Sequence, residues 1–357
     1  MYVNPNKTVD NLQTKSAWMP HPVEPSGLAK IAEVVVNKER PWTPTVRLDR
    51  YFADLKHPVD VVAKLESYNP TGSIKYRPAL RIISQAIEKN RINSDSIVVE
   101  SSSGNMGAAM AYICREFGLK FVCVVDPRTQ AHNLKLIEQY GGQLEYVREP
   151  LNGCFLQARL KRVNDLIESD NRYYWTNQYA NEDNFKAHYY GTAAEIFAEH
   201  QDGLDVICVA TSSAGTFHGI YSFFQEYAPR TIIVAIDAIG SILYKAEAGV
   251  RKVSGMGAGF KTPISQRSTP DKIIWVNDID CAVGCHRALQ LENLSIGGSG
   301  GGILEAIRQH QQWFSGKRIL TLMADGGDKY QSSLFDYQWL HTQLGLAPET
   351  LSQRIGS

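Results

Sequence analysis

The sequence predicts an α/β protein with two lobes, each built on a mostly parallel twisted sheet flanked by helices. Short runs rich in Val and Ile alternate with amphipathic helical patterns, as in parallel-sheet proteins. These runs are nearly continuous in apolar residues, which is typical of strands covered on both faces. The chain has 357 residues, more than the roughly 250–300 residues that a single core sustains.

The alternation can be followed in order from residue 59. VDVVAKLE precedes the helical pattern RPALRIISQAIEKN, SIVVE precedes MGAAMAYICREFG, and KFVCVVD precedes NLKLIEQYG. DVICVA then precedes FHGIYSFFQEY, and TIIVAID, KIIWVND and RILTLMAD are further strand-like runs. We expect an N-terminal arm over 1–39, a smaller mobile lobe over 56–181, and a larger lobe over 40–55 together with 182–357.

Composition and charge argue against several classes of protein. Lys and Arg number 37, as do Asp and Glu, and this zero net charge argues against nucleic-acid binding. No apolar run approaches the roughly 20 residues that span a bilayer, and MYVNPNKTVDNLQTKSAW lacks the core of a signal peptide. The six cysteines are scattered except for Cys281 and Cys285. We therefore expect a cytoplasmic protein with buried thiols and no metal site.

The loops that follow the strands are the candidate site, because open parallel sheets bind ligands at the carboxyl ends of their strands. NPTGSIKYRP places Lys75 after a Pro-Thr-Gly-Ser turn, a setting that a surface lysine does not need. ESSSGNMG, residues 100–107, combines three serines with Gly-Asn at a helix start. It could hold a carboxylate there, or it could form only an ordinary N-cap.

Two glycine-rich loops precede later helices. ATSSAGTFHG, residues 210–219, could bind a phosphate at a helix N-terminus, or it could form only a tight turn. It has neither the Gly-Lys-Ser/Thr of a Walker motif nor the G-x-G-x-x-G of a dinucleotide site. SIGGSGGG, residues 295–302, carries Ser299 as the polar side chain within its glycines, and a flexible turn is the alternative interpretation.

Taken in order, these four stretches resemble the motifs of the fold type II pyridoxal phosphate (PLP) enzymes, the group of the cysteine synthases and cystathionine β-synthases. The resemblance covers about residues 40–335. It implies that Lys75 is the Schiff-base lysine, that Asn105 bonds the PLP 3′-oxygen, and that Ser299 faces the pyridine nitrogen. It implies a PLP phosphate site formed by Ser212, Ser213, Ala214, Gly215 and Thr216. It implies a substrate-carboxylate site formed by Ser101, Ser102, Ser103 and Gln178.

Further stretches are similar to one branch of this group: CVVDPRTQAHNLKLIEQYGG, YYWTNQYANEDNFKAHYYGTAAEI, AIDAIGSI, GMGAG and DGGDKY. This resemblance implies a PLP-dependent β-replacement that joins O-phospho-L-serine to L-glutamate and releases phosphate, on the route to 2,3-diaminopropionate and siderophores. It implies that Arg159, Tyr179 and Ser212 contact the substrates, with a surface helix position as the alternative for Arg159. It also implies small amino-acid substrates and a homodimer.

Tyr76 and His188 are two further residues close to the proposed site in sequence. Tyr76 stands where the family usually has Asp after the lysine, whereas the following Arg77 is retained, so the contacts at this helix start are in doubt. His188, in FKAHYYG, is expected to be a structural histidine rather than a general acid.

Other functions are compatible with parts of this pattern. A cysteine synthase would use O-acetyl- or O-phosphoserine and sulfide. A PLP-fold protein without catalysis would act as a binding partner, although Lys75, Asn105 and Ser299 argue against it. A dinucleotide-binding oxidoreductase is disfavoured by the missing fingerprint.

Overall fold

A computed structural model describes residues 42–245 and 247–356, which form two compact units. The larger unit comprises Thr43–Ile74 and residues 188–356, and the smaller unit comprises Lys75–Ala187. Each unit has its own sheet and its own apolar clusters. The expected arm over 1–39 lies outside the described residues.

The strands of the described residues are β1 (Thr45–Arg47), β2 (Asp60–Leu65), β3 (Ile97–Ser101), β4 (Lys120–Val125), β5 (Gln143–Tyr146), β6 (Tyr173–Trp175), β7 (Val206–Ala210), β8 (Ile232–Ala238), β9 (Lys272–Val276) and β10 (Arg318–Met323). The larger unit holds a six-stranded sheet of order β1-β2-β10-β7-β8-β9. Only β1 is antiparallel to its neighbour in this sheet. The smaller unit holds a four-stranded parallel sheet of order β5-β4-β3-β6.

The helices of the smaller unit are α1 (Tyr76–Glu88), α2 (Asn105–Glu116), α3 (Ala131–Gln139), α4 (Phe155–Ser169) and α5 (Glu182–Ala187). The larger unit begins its second segment with a π-helical turn, His188–Ala193. Its α-helices are α6 (Ala194–Glu199), α7 (Gly215–Tyr227), α8 (Asp278–Glu292), α9 (Gly298–Gln309), α10 (Gln311–Phe314), α11 (Tyr337–Leu344) and α12 (Pro348–Gly356). Among the described helices, none combines the length and the apolar character needed to cross a membrane.

Both sheets are covered on two faces, which explains their continuous apolar runs. In β7, Val206 and Cys208 pack in one apolar cluster, whereas Ile207 and Val209 pack in another. The alternation follows from the two-residue period of a strand. In β3 of the smaller unit, Val98 and Val99 are likewise divided between two clusters. The polar residues that follow such strands therefore lie at one edge of their own sheet.

The predicted fold class is confirmed, and the domain bounds differ from those expected. Residues 56–74 lie in the larger unit because β2 pairs with β1 and with β10 of that unit. Residues 182–187 lie in the smaller unit, where Asp183 forms an ion pair with Arg81 of α1 at 3.2 Å. Strands β1, β5 and β6 were not predicted, because runs of three or four residues carry little pattern.

Candidate active site

The turn before Lys75 is fixed by contacts within the larger unit. Gly72 has φ +65°, a left-handed conformation that favours glycine, and its N–H donates to the carbonyl of Asn69 at 2.8 Å. The Nζ of Lys329 donates to the carbonyl of Thr71 at 3.1 Å. Lys75 follows this turn in sequence, is half-buried and occupies the N-cap position of α1.

Lys329 is a buried cation that the sequence did not single out. It is 5% exposed, and burial lowers the pKa of its ammonium, an effect opposed by the charges of Asp325 and Asp328. Ser73 pairs with Asp325 in an isolated β-bridge. The Pro-Thr-Gly-Ser turn is thus anchored to the stretch DGGDKY, which follows β10. The sequence showed only that both stretches follow strands.

The Gly/Ser/Thr loop between β7 and α7 has the geometry of an anion cradle. Ala214 is left-handed, with φ +66°, which for a residue other than glycine costs roughly 1–2 kcal/mol. Among the described residues, no side chain caps α7 from this N-cap position. Gly215 begins the helix, and its N–H donates to the Oγ of Ser213 at 3.4 Å. The first N–H groups of a helix have no partner within the helix, and together with the positive end of the helix dipole they favour a phosphate here.

A neighbouring loop, GMGAG, holds the cradle in place. The N–H of Gly257 donates to the carbonyl of Thr211 at 2.6 Å, and the Oγ of Ser212 donates to the carbonyl of Gly257 at 3.3 Å. Thr262 donates through its Oγ1 to the carbonyl of Ser213 at 2.9 Å. Three consecutive residues of the loop are therefore bonded to the stretch 257–262.

Ser299 lies in the first turn of α9 and is 2% exposed. The surrounding glycines permit close helix packing. A Cβ added to Gly301 would lie against the carbonyl of Cys281 and 2.7 Å from the backbone nitrogen of Cys285, both on α8. A Cβ on Gly300 would lie 2.7 Å from the sulfur of Met323. The alternative of a flexible turn is therefore wrong, because α9 begins at Gly298, inside the glycine run.

In the smaller unit, the serine loop joins β3 to α2, which begins at Asn105 as predicted. Ser101 is fully buried, and its Oγ has no hydrogen-bond partner among the described residues. The N-cap residue of α2 is Gly104, and the Oγ of Ser102 accepts from the N–H of Gly107, in the first turn of that helix, at 3.0 Å. Ser103 is exposed. Gln178 joins the group, because its Nε2 donates to the carbonyl of Ser101 at 3.2 Å.

Glu100, which the sequence did not single out, holds this loop through buried hydrogen bonds. It is fully buried, and it accepts from the Oγ1 of Thr176 at 2.6 Å and from the backbone N–H of Gln178 at 3.0 Å. Burial raises the pKa of its carboxyl, and these hydrogen bonds oppose that rise. The only signal in the sequence was an acidic residue at the end of an apolar strand, directly before the serines.

Arg159 is buried, so the alternative of a surface helix arginine is wrong. It is 7% exposed on α4, and its Nη1 lies 3.3 Å from the Oδ2 of Asp126. Its Nε and Nη1 form no hydrogen bonds with the described residues. Tyr179 is half-buried; burial raises the pKa of its phenol to about 12, and the positive charge of Arg159 opposes that rise. The two predicted substrate residues are therefore within electrostatic reach of each other.

His188 and Tyr76 are both buried, and each contacts side chains of its own unit. His188 is fully buried, and both ring nitrogens lie within hydrogen-bonding distance of threonine hydroxyls. Tyr76 is 7% exposed, and its ring packs edge-on against Tyr112, with centroids 6.2 Å apart. The tyrosine that replaces the usual aspartate is thus part of the apolar cluster of the smaller unit.

The cysteines have the expected setting except for Cys154, which is half-buried. The other five thiols are buried, and burial raises the pKa of Cys281 and of Cys285 well above that of a free thiol. Within the described part of the chain, no three His, Cys, Asp or Glu side chains are grouped so that they could hold a metal ion.

The residues of each unit fit parts of PLP. The larger unit offers an uncapped helix start with a left-handed residue for a phosphate, and a buried serine. The smaller unit offers a half-buried lysine at a helix start and a buried hydroxyl, on Ser101, that lacks a partner among the described residues. These are the groups that a phosphate, an aldehyde and a carboxylate require.

The family model of the pyridoxal-phosphate dependent enzymes matches residues 36–325, and the chain belongs to this family. Two curated relatives are 38% identical to it. Both are N-(2-amino-2-carboxyethyl)-L-glutamate synthases, one from Cupriavidus metallidurans aligned over 303 residues and one from Ralstonia nicotianae aligned over 300. Each alignment covers 84% of this chain and 88% of the relative.

Solved structures show the same fold. An O-acetylserine dependent cystathionine β-synthase from Helicobacter pylori is 26% identical with a TM-score of 0.76, over 82% of this chain and 94% of that one. A hydrogen sulfide-producing enzyme from Fusobacterium nucleatum is 27% identical with a TM-score of 0.76, over 81% and 96%. The expected PLP cofactor and the fold type II architecture are thereby confirmed.

Proposed function

We propose that this enzyme joins O-phospho-L-serine to L-glutamate, giving N-(2-amino-2-carboxyethyl)-L-glutamate and phosphate. The names of the two curated relatives and the length of their alignments support this reaction. The reaction is a β-replacement at Cβ of the serine moiety, on the route to 2,3-diaminopropionate and siderophores.

The observation that carries the proposal is the buried Arg159. A guanidinium that is 7% exposed and still has Nε and Nη1 without hydrogen bonds to the described residues suits a further anion beside Asp126. Glutamate brings two carboxylates, and burying them is costly unless each meets a donor or a cation. Sulfide, the nucleophile of a cysteine synthase, brings no carboxylate. Arg159 can offer a bidentate fork and Tyr179 a single hydroxyl.

The proposed roles of the site residues are those that the family resemblance implies. Lys75 would hold PLP covalently, Asn105 would bond its 3′-oxygen, and Ser299 would face its pyridine nitrogen. The residues proposed for its phosphate are Ser212, Ser213, Ala214, Gly215 and Thr216. The residues proposed for the substrate carboxylate are Ser101, Ser102, Ser103 and Gln178. Ser212 is also proposed to contact substrate.

PLP, when bound, withdraws electrons from the amino acid and weakens its Cα–H and Cβ–O bonds. Once the amino group of phosphoserine has displaced Lys75 from its covalent bond, the freed amine of Lys75 would take the proton from Cα and hold it while phosphate leaves Cβ. The amine of glutamate would then bond to Cβ, and Lys75 would return a proton to Cα. A serine hydroxyl such as that of Ser299 does not protonate a pyridine as a carboxylic acid would, so charge is not held long at Cα. Loss of a β-substituent is then favoured over transamination.

The test separates the two substrates. Arg159→Ala and Tyr179→Phe should keep the absorbance change that phosphoserine alone produces, within a few-fold. Both should respond weakly to glutamate, with a fall of roughly 10- to 100-fold in kcat/KM for glutamate, because each loses a hydrogen bond to a charged group. Stopped-flow absorbance of each half-reaction gives both quantities.

Arg162→Ala is the matched control, because Arg162 lies on the same helix but is paired with Glu145 at the surface, at 2.9 Å. It should behave like the parent. If both test variants use glutamate as the parent does, and sulfide reacts faster than glutamate, the protein is a cysteine synthase instead.

The proposal includes a homodimer, as the family resemblance implies, and a cytoplasmic location, as expected from the sequence. Light scattering tests the dimer, which should have twice the chain mass of 39.8 kDa.

A further inference from the structure

A chain of three polar side chains, two of them fully buried, ends at the proposed phosphate loop. The Nδ1 of His188 lies 3.0 Å from the Oγ1 of Thr192, and its Nε2 lies 3.2 Å from the Oγ1 of Thr216. His188 and Thr192 are both fully buried. All three residues belong to the larger unit. None of them except Thr216 has a role in the reaction described above.

The backbone around this chain is unusual. His188 and Thr192 lie in the π-helical turn His188–Ala193, a rare form of helix that often occurs at functional sites. The two side chains are four residues apart along this turn. They therefore lie on the same side of the turn. The imidazole ring of His188 reaches from Thr192 to Thr216, the second residue of α7. The turn thus brings a ring nitrogen to the start of the helix that carries the anion cradle.

Proton counting fixes the direction of these hydrogen bonds. A hydroxyl has one hydrogen to donate, and a phosphate dianion only accepts. If Thr216 gave its hydrogen to the ring, it would present only lone pairs to the phosphate. Thr216 can donate to the phosphate only if the Nε2 of His188 carries a hydrogen and donates to Thr216. In the neutral ring, Nδ1 is then an acceptor, and the hydroxyl of Thr192 supplies its hydrogen bond.

We propose that His188 is a positioning residue that orients the hydroxyl of Thr216 toward the cofactor phosphate, and that Thr192 fixes the tautomer of His188. This inference rests on the proposed assignment of Thr216 to the PLP phosphate. It gives His188 a defined part in cofactor binding, beyond the structural role expected from the sequence.

The test compares two ligands that differ only in the phosphate. The apoenzyme of each full-length variant is titrated with pyridoxal 5′-phosphate and with pyridoxal. His188→Phe removes both ring nitrogens at similar size, and it should weaken pyridoxal 5′-phosphate by roughly 3- to 10-fold, as expected when the hydroxyl of Thr216 loses the neutral hydrogen bond that orients it. The affinity for pyridoxal should change less than about threefold. A purely structural role would weaken both ligands equally, and that result overturns the inference.

Two polar variants keep the test decisive if His188→Phe does not fold. The amide nitrogen of Gln can occupy the position of Nε2 and donate to Thr216, whereas that of Asn occupies the position of Nδ1 and cannot reach it. His188→Gln should therefore retain most of the selectivity for the phosphate, and His188→Asn should lose it. Equal behaviour of the two overturns the inference.

The phosphorus NMR shift of the bound cofactor gives an independent readout. It should move in His188→Asn and remain near the parent value in His188→Gln. An identical shift in both variants counts against the inference.

Thr216→Val separates this inference from the assignment beneath it. If Thr216→Val weakens pyridoxal 5′-phosphate selectively while the His188 variants do not, only the inference about His188 fails. If Thr216→Val has no selective effect, Thr216 does not bind the phosphate, and the proposed cofactor assignment fails with it. The activity with phosphoserine and glutamate is measured separately and decides neither outcome.

Discussion

Glu100 shows how one buried carboxylate determines the local geometry of several candidate site residues. It binds the hydroxyl of Thr176 and the backbone of Gln178, and Gln178 in turn donates to the carbonyl of Ser101. A carboxylate without exposure needs such donors to remain charged. The position of the Gln178 amide therefore depends on a residue that does not itself face the substrate in our proposal.

Thr176→Val tests this dependence. Thr176 is fully buried, and the variant removes the shortest hydrogen bond to Glu100, at 2.6 Å. The free energy of unfolding, from urea titration, should fall by about 1.5–3 kcal/mol near pH 7.5. Thr176→Ser retains the hydroxyl and should lose less than half of that amount.

The stability loss of Thr176→Val should depend on pH, because the lost hydrogen bond favours the ionised form of Glu100. Burial raises the pKa of Glu100 above its ordinary value of 4.5, and the bond from Thr176 lowers it, so the variant should raise it further. The donor stabilises the ionised carboxylate, so its loss costs most where Glu100 is charged. The stability difference between parent and Thr176→Val should shrink as the pH falls toward 4.5. A difference that is constant with pH would contradict this account.

At the residue scale, the sequence pointed to candidate site residues more readily than to the buried residues that hold them in place. Lys75, Asn105 and Ser299 stood out by their positions after strands or at helix starts, and the family resemblance implied their roles, which remain predictions. Glu100 and Lys329 did not stand out, because their roles come from contacts with residues 76 or more positions away. Burial of Arg159 depends on the packing of α4, which its helical pattern alone did not settle.

At the scale of elements, α8 and α9 pack so closely that only glycine fits at Gly284 and Gly301. A Cβ on Gly284 of α8 would also collide with the backbone of Gly301 on α9. Glycine in a helix interior normally costs about 0.5–1 kcal/mol relative to alanine, so the close contact, and not helix propensity, accounts for glycine at these positions. The contact sets the position of the first turn of α9, where Ser299 lies.

Gly301→Ala tests this packing. The added methyl group would overlap the backbone of Cys281 and Cys285, and the free energy of unfolding should fall by about 1–3 kcal/mol or more. Gly356→Ala is the control, since no heavy atom of the described residues lies within 4 Å of a Cβ built there, and it should be neutral within about 0.5 kcal/mol. Urea unfolding followed by circular dichroism measures both. A Gly301→Ala protein as stable as the control would contradict the packing argument.

The elements themselves were largely predictable. Seven strands followed from Val- and Ile-rich runs, whose period and flanking residues are local signals. The start of α9 at Gly298 could not be predicted, because a Gly-rich sequence favours a turn. The close approach of α8 explains why these glycines belong to a helix.

At the scale of the whole molecule, the chain forms two units that each carry their own sheet and core. The pairing of β2 with β10, which lie more than 250 residues apart, assigns residues 56–74 to the larger unit. Propensity and periodicity carry no information about such a pairing, so the sequence could predict two lobes but not their bounds. The family match over residues 36–325 spans residues of both units.

The central claim is the choice of substrates, and product analysis of the full-length holoenzyme tests it most directly. The enzyme is incubated with O-phospho-L-serine and with either L-glutamate or sulfide, and phosphate release and product mass are read together. We expect one phosphate released for each glutamate consumed, with a product that has the mass of N-(2-amino-2-carboxyethyl)-L-glutamate. Formation of cysteine from sulfide, at a higher rate and without any glutamate adduct, would contradict the account.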